Sequence, residues 1–258
     1  MKIIVLMKQV ANKDAVLRIA ADEKWINEAD VAQQTNESDG YALEEALRLK
    51  EAKGDGEVIV CSLGQQSAKT VIKDALARGA DRAIHVVHDQ PSKLSPYQIA
   101  KAIADAIREE NADLVFTGLQ SDDASYGQTG VILAELLGIP HATIVIEVDR
   151  TTLNGSLRVK RELESGWYQW FTYQLPSLLT IQSGISQIRY ASLKGIMAAK
   201  KKEIRDVTAS VDDFASAAVV EKVYMPLKTK QTQMLGNGDA KAGAVDLIEK
   251  LRSEVRAI

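Results

Sequence analysis

Residues 113–130 read DLVFTGLQSDDASYGQTG: an apolar run, Asp113 to Thr117, breaks into a loop of Gly, Ser and Asp that opens a helix at about Gln128-Thr129-Gly130. In an open α/β sheet, ligands sit beyond the carboxyl ends of the strands, and a helix start there offers free N–H groups and roughly half a positive charge to a phosphate. Ser121, Ser125 and Thr129 add hydroxyl donors. Asp122 and Asp123 would repel a phosphate at close range and better suit a ribose hydroxyl or a helix cap. An ordinary capped loop explains the same residues, because neither the three-glycine dinucleotide pattern nor the Walker lysine pattern is present.

On either side of this segment, apolar β-branched runs alternate with stretches of helical period, which predicts an α/β fold: a mostly parallel sheet with helices on both faces. Strands are expected at Lys2 to Lys8, Glu57 to Leu63, Arg82 to Val87 and Asp113 to Thr117, each a nearly continuous apolar run of the kind buried on both faces. Helices are expected at Tyr41 to Lys53, stopped by Gly54, and at Gln66 to Arg78, stopped by Gly79. A third runs from Ser95 to Glu110, with Ser95 as cap and Pro96 first, and a fourth from Gln128 to Leu137, ended by Gly138 and Pro140. From Ala142 to Gln182 the pattern turns to alternating strands around Asn154-Gly155, a hairpin signal, so an antiparallel hairpin extension is expected. Ser183 to Arg205 loses the strand pattern, and little period returns until a short amphipathic helix at about Ala244 to Arg256. The expected organisation is an α/β nucleotide-binding domain over 1–205 and a C-terminal arm over 206–258. The arm has too little apolar surface for its own core and is expected to pack on the domain and a partner subunit.

The chain has 258 residues, 46% apolar and 26% charged, the balance of a folded globular protein. Its 32 basic and 35 acidic residues leave a net charge of −3, so no global positive field holds nucleic acid or an anionic membrane. Cys61 is the sole cysteine, which excludes an internal disulfide framework and a cysteine-built metal or iron–sulfur site, and a cytoplasmic setting is expected. Ile3 to Met7 is too short for a secretory signal, and no stretch reaches the roughly 20 apolar residues of a membrane span. His85, His88 and His141 are dispersed, and no paired carboxylates or nucleophile with its base stand out. Neither a metal site nor catalytic residues are expected.

Two other segments and two single residues are candidates. Thr35 to Asp39 precedes a helix; Asn36 and Ser38 suit a ribose or base, while Ser38 or Asp39 as a helix N-cap is the commoner arrangement. Lys8 either neutralises a phosphate or is a solvated strand-end lysine, and Cys61 reads as an inert buried residue. Residues 183–202, SGISQIRYASLKGIMAAKKK, mix Ile185, Ile188, Tyr190, Leu193, Ile196 and Met197 with glycines and lysines. These apolar side chains either pack back onto the domain or project into a partner's pocket, ringed by lysines that steer an acidic surface, and both readings stand.

Three stretches together resemble the β, or small, subunit of electron transfer flavoprotein: MKIIVLMKQV at 1–10, TGLQSDDASYGQTG at 117–130 followed by LLGIPHAT, and PSLLTIQSGISQIRYASLKGIMAAKKKEI at 176–204. The resemblance spans nearly the whole chain and is most specific at Arg189 to Leu193. It implies a domain like that of adenine nucleotide α hydrolases, paired as a heterodimer with a larger α subunit that holds most of a shared redox FAD. The pair would carry electrons from dehydrogenases to a membrane quinone reductase or another acceptor, without being an integral membrane protein.

The resemblance also implies a cofactor-binding set in this chain: Leu6, Asn36, Glu37, Ser38, Asp39, Leu63, Ser121, Asp122, Asp123, Ala124, Ser125, Tyr126, Gly127, Gln128, Thr129, Gly130, Val131 and Ile132. In most relatives this pocket holds AMP as a structural nucleotide, and in electron-bifurcating relatives a second FAD. The bifurcating loop reads closer to AIDGDTAQ; residues 121–127, SDDASYG with bulky Tyr126, depart from it, so AMP is expected. A recognition loop is implied at 183–203 with Leu193 as its anchor, and Glu162, Arg189, Tyr190, Ile196 and Met197 as further partner-binding residues. Lys13 stands where several relatives place an aromatic near the flavin. The rival is a stand-alone ATP-binding enzyme of the same fold, which needs a Gly-rich phosphate loop after the first strand, where Ala11-Asn12-Lys13-Asp14 stands instead.

Overall fold

The computed structural model describes residues 1–28, 31–151, 153, 155–211, 220–227, 230 and 232–256. Its strands are β1 (Lys2–Leu6), β2 (Gln9–Ala11), β3 (Gln33–Thr35), β4 (Glu57–Gly64), β5 (Arg82–Val87), β6 (Leu114–Gly118), β7 (His141–Asp149), β8 (Ser156–Glu162), β9 (Tyr168–Gln174), β10 (Ser177–Ile181) and β11 (Ile204–Thr208). The helices are α1 (Glu37–Lys53), α2 (Lys69–Arg78), α3 (Pro96–Ile107), α4 (Thr129–Leu137), α5 (Leu193–Ala199) and α6 (Ala240–Lys250). One compact unit spans Met1–Lys222 and a second, containing α6, spans Val223–Ile258.

Nine strands form one sheet in the order β11-β5-β4-β1-β6-β10-β7-β8-β9. The first seven in that order run parallel, and β8 and β9 complete the edge antiparallel. Successive strand side chains point to opposite faces, so Ile3 and Val5 join the core beneath α1 and α2 while Ile4 and Leu6 join the one beneath α3 and α4. Covering both faces is why β1 and β4 read as unbroken apolar runs. Ser95 accepts from the Gln98 N–H and Gln98 reaches back, a complete capping box with Pro96 at the first position of α3.

The structure departs from the sequence reading in four places. First, α1 begins at Glu37 rather than Tyr41, with Asn36 at the N-cap, so Ser38 and Asp39 lie in the first turn and neither is the cap. Second, only β8 and β9 of the 142–182 region are antiparallel; β10 inserts parallel between β6 and β7. The run Ser177 to Ile181 is buried at every position, the mark of a strand covered on both faces. Third, residues 183–205 contain α5, and β11 starts at Ile204 and runs through the expected boundary at 205/206. Its polar, half-exposed pattern carries no strand period, and what fixes it is pairing with β5 and the Lys69–Asp206 ion pair. Fourth, the terminal helix starts at Ala240, capped by Asp239. Asn154 of the hairpin signal lies outside the described residues.

Candidate functional site

The carboxyl ends of β1, β4 and β6 converge on one edge of the sheet, and Asp39 sits at its centre. Its carboxylate accepts from the Lys8 N–H at the end of β1 (2.7 Å) and from the Gly118 N–H at the end of β6 (2.9 Å). Burial pushes this carboxyl up to about 7, against the opposing pull of those N–H bonds, the Asn36 side chain and the Lys8 charge. Glycine is required at 118, since a Cβ there would stand 2.2 Å from Ser38 Oγ and 2.3 Å from Asp39 Oδ1. The missing side chain lets the first turn of α1 close on the strand end.

Asn36 stitches this turn to the loop after β6. Its Oδ1 accepts from the Asp122 N–H (2.9 Å), and its Nδ2 donates to the Gln120 carbonyl (3.0 Å) and to Ser38 Oγ (3.1 Å). Ser38 Oγ in turn donates to the Gln120 carbonyl (2.8 Å). Asp122 returns the contact, its carboxylate accepting from the Glu37 N–H (3.1 Å), so α1 is capped by an acid from the opposite loop. Lys8 reaches the same loop through Asp123 (2.6 Å) and Ser121 Oγ (3.3 Å). The loop turns through Ser125 and Gly127, both at positive φ, and closes with a bond from the Ser125 N–H to the Ser121 carbonyl (2.9 Å). Lys8 is thus paired with this loop rather than a free strand-end lysine.

Beyond the turn, Gln128 holds the N-cap of α4 without a side-chain cap, which leaves the leading N–H groups for a ligand or water. A Cβ on Gly130 would meet Thr117 Oγ1 at 2.8 Å and Thr180 Cγ2 at 2.9 Å, so this helix start is pressed onto β6 and β10. Leu6 is buried where β1 ends, while Leu63, Val131 and Ile132 are half-buried and Tyr126 is exposed at the loop tip. The predicted residues therefore gather at one edge. Asn36, Ser38 and Asp39 turn out to spend their polar atoms on holding the two loops together. Cys61 is buried and its thiol is pushed up to about 12 by burial, an unreactive state.

The second predicted constellation is braced at both ends. Burial works to raise the Glu44 carboxyl, but hydrogen bonds from Arg189 (2.9 Å) and Arg48 (2.7 Å) outweigh it and hold it below the usual range. Arg189 also pairs with Glu51. At the far end Lys202 donates to the Leu76 and Ala80 carbonyls, capping the end of α2, before the chain enters β11. Between these braces Ser192 caps α5 by accepting from the Gly195 N–H (3.0 Å). A Cβ on Gly195 would stand 2.1 Å from the Ala77 carbonyl oxygen, so α5 lies directly against the end of α2.

The outward side of this segment is apolar: Tyr190 is 94% and Leu193 78% exposed, with Ile196 and Met197 beside them. Arg189 points inward as a brace. Glu162 ends β8 opposite Tyr168, half-buried, and Lys13 is exposed. The Glu44 and Glu51 partners of Arg189 lie 145 and 138 residues away in sequence, a pairing with no local signal.

These features define an open α/β domain whose candidate site lies at the carboxyl ends of its central parallel strands. Residues 24–212 match the family model of the electron transfer flavoprotein domain. The chain is 34% identical over 254 residues to the electron transfer flavoprotein subunit beta of Methylophilus methylotrophus, covering 95% of this chain and 96% of that protein. It is 35% identical over 267 aligned positions to the mitochondrial subunit beta of Oryza sativa subsp. indica, covering all of both chains. With the Homo sapiens subunit beta it shares 36% over 235 residues, 89% of this chain and 91% of that one. The chain belongs to the electron transfer flavoprotein family and aligns along its length with the β subunits. Among the described residues no helix is long and apolar enough to cross a membrane.

Proposed function

We propose that this chain is the scaffold and docking half of a heterodimeric electron carrier. In this reading the nucleotide edge holds AMP, a larger α subunit holds most of a shared FAD, and Leu193 docks dehydrogenase donors before electrons pass to a quinone reductase or other acceptor. The flavin supplies the redox chemistry when bound. The chain's own residues position and exclude rather than react. Asp39 and Asn36 fix the two loops, Lys8 neutralises Asp123 beside them, the uncapped start of α4 offers N–H groups to a single phosphate, and Ser121, Ser125 and Thr129 add hydroxyls. Asp122 and Asp123 flank that position, which disfavours the second phosphate of a dinucleotide. A reducing, cytoplasmic setting accords with a single buried thiol.

The observation that carries the docking role is the exposed apolar side of α5, whose other side packs on α2 while Arg189 ion pairs hold its approach. A contact of one leucine is worth roughly 1.5–3 kcal/mol, enough to select a partner and weak enough to release it. Denaturing the co-purified pair and quantifying the released nucleotides tests the pocket: one AMP and one FAD per pair are expected, and two FAD with no AMP would refute it.

A further inference from the structure

His85, in the middle of β5, is fully buried, and oxygen atoms face both nitrogens of its ring. On one side Nε2 faces the Gly64 carbonyl (3.2 Å) and the Gln65 carbonyl (3.1 Å), where β4 turns towards α2. On the other, Nδ1 faces a carboxylate oxygen of Asp206 (3.2 Å), its register partner on β11. A carbonyl oxygen only accepts, so Nε2 needs a proton. The Asp206 carboxylate already accepts from Lys69 (2.7 Å), and that bond, aided by His85, holds its carboxyl below the usual range against partial burial. Asp206 is therefore an acceptor as well. Either neutral tautomer of His85 aims a ring lone pair at an oxygen, and only the imidazolium, with both N–H groups, satisfies every contact.

Among the described residues, the ionisable groups facing the ring are Asp206 from β11 and, behind it, Lys69 from the start of α2. β4 contributes the two carbonyls and Ser62, the register partner of His85. Lys202 is spent on the Leu76 and Ala80 carbonyls, and Arg205 on Glu110. The place of the contact gives it a consequence. β11 is the outermost strand on its side of the sheet, it pairs only with β5, and it carries no apolar stripe to bury. It also begins where the segment 183–203 ends, so whatever holds β11 holds the trailing end of that segment, as Arg189 holds the leading end.

We propose that His85 and Asp206 form a proton-dependent latch that fastens β11, and with it the trailing end of the 183–203 segment, to the body of the sheet. The latch is closed while Asp206 is ionised and His85 carries both protons. It opens as pH rises and the Nδ1 proton leaves, because a lone pair then stands against the carboxylate. The Arg189 brace fails in the opposite direction, as pH falls, so the segment is held at both ends only in the window between. The latch stands on its own contacts; its effect on docking rests on the role proposed above for Leu193.

The test uses the co-expressed heterodimer. Amide protection of residues 204–208, taken relative to the intrinsic exchange rate, is followed by mass spectrometry between about pH 5 and 9. In wild type it is expected to fall about tenfold as pH rises, the loss of one charge-assisted hydrogen bond, while residues 57–64 of β4 keep theirs. Asp206→Asn removes the carboxylate and His85→Asn the titrating ring, so each should abolish the slope. Flat protection in wild type, or a slope that survives in Asp206→Asn, would overturn the latch. If His85→Asn fails to accumulate, Asp206→Asn decides alone, since its side chain is half exposed. Reduction by a dehydrogenase donor, as the ratio of wild type to Asp206→Asn at each pH, should fall over the same range. A slope in protection without one in that ratio would leave the latch standing and overturn the docking role of the segment.

Discussion

Replacing Asp39 by Asn probes the centre of the nucleotide edge with a defined sign. The buried carboxyl of the folded chain sits at about 7 against an ordinary 3.8, so folding raises its affinity for a proton. A raised group contributes stability that is fully present below the unfolded value and is lost as pH rises through the folded one. The gap between 3.8 and about 7 corresponds to roughly 4 kcal/mol. Asparagine carries no such proton, and its single oxygen satisfies only one of the Lys8 and Gly118 N–H groups, a pH-independent loss of about 1–3 kcal/mol.

Urea unfolding followed by the fluorescence of Trp25, Trp167 and Trp170 measures both chains across pH. The stability advantage of wild type over Asp39→Asn is expected to shrink by roughly 4 kcal/mol between about pH 4 and 8. Subtracting the variant cancels the acids that titrate the opposite way, such as Glu110, whose carboxyl the Arg82 hydrogen bonds hold low. A difference that stays flat, or grows with pH, would refute the buried and desolvated state assigned to Asp39.

Other consequences follow from the docking segment. Leu193→Ala should leave unfolding within about 0.5 kcal/mol of wild type, because the side chain is exposed, yet slow reduction by the donor roughly 10- to 100-fold in stopped-flow flavin bleaching; unchanged kinetics would remove the anchor. Gly195→Ala must push α5 off the Ala77 carbonyl, so donor reduction should slow although Leu193 is intact, and melting should report a loss of about 1–3 kcal/mol. The Arg189 brace rests on carboxyls held low, so its contribution is present above the ordinary 4.5 and lost as pH falls through the folded value. Amide protection at 189–199, taken relative to the intrinsic exchange rate at each pH, should therefore fall in acid for wild type and be low already at neutral pH in Arg189→Gln; equal protection in both would contradict the brace.

Much of the scaffold was readable from the chain. The runs that became β1, β4, β5 and β6 are unbroken because both of their faces are covered, and Gly54, Gly79 and Gly138 stop α1, α2 and α4 where a left-handed or otherwise glycine-favouring conformation is needed. The loop at 119–128 was visible because a strand ran straight into polar turn residues and a helix start. What escaped depends on distant partners. β11 is polar and exists through its pairing with β5, and β10 looked like one more hairpin strand until its burial placed it between β6 and β7. The bracing bonds of Asn36 and Asp39 carry no local signal for the same reason: the groups they bond, Gln120, Asp122 and Gly118, lie about eighty residues further along. The pairing of Arg189 with its acids on α1 leaves no trace in the local pattern.

The heterodimer itself is the most direct test. The chain should be purified alone and again after co-expression with an α subunit, and the flavin absorption of each compared with its protein mass. No bound flavin in the isolated chain and one reducible flavin per co-purified pair is the expected result. A lone chain that retains stoichiometric flavin and is reduced by a dehydrogenase without its companion would contradict the division of labour proposed for the two subunits.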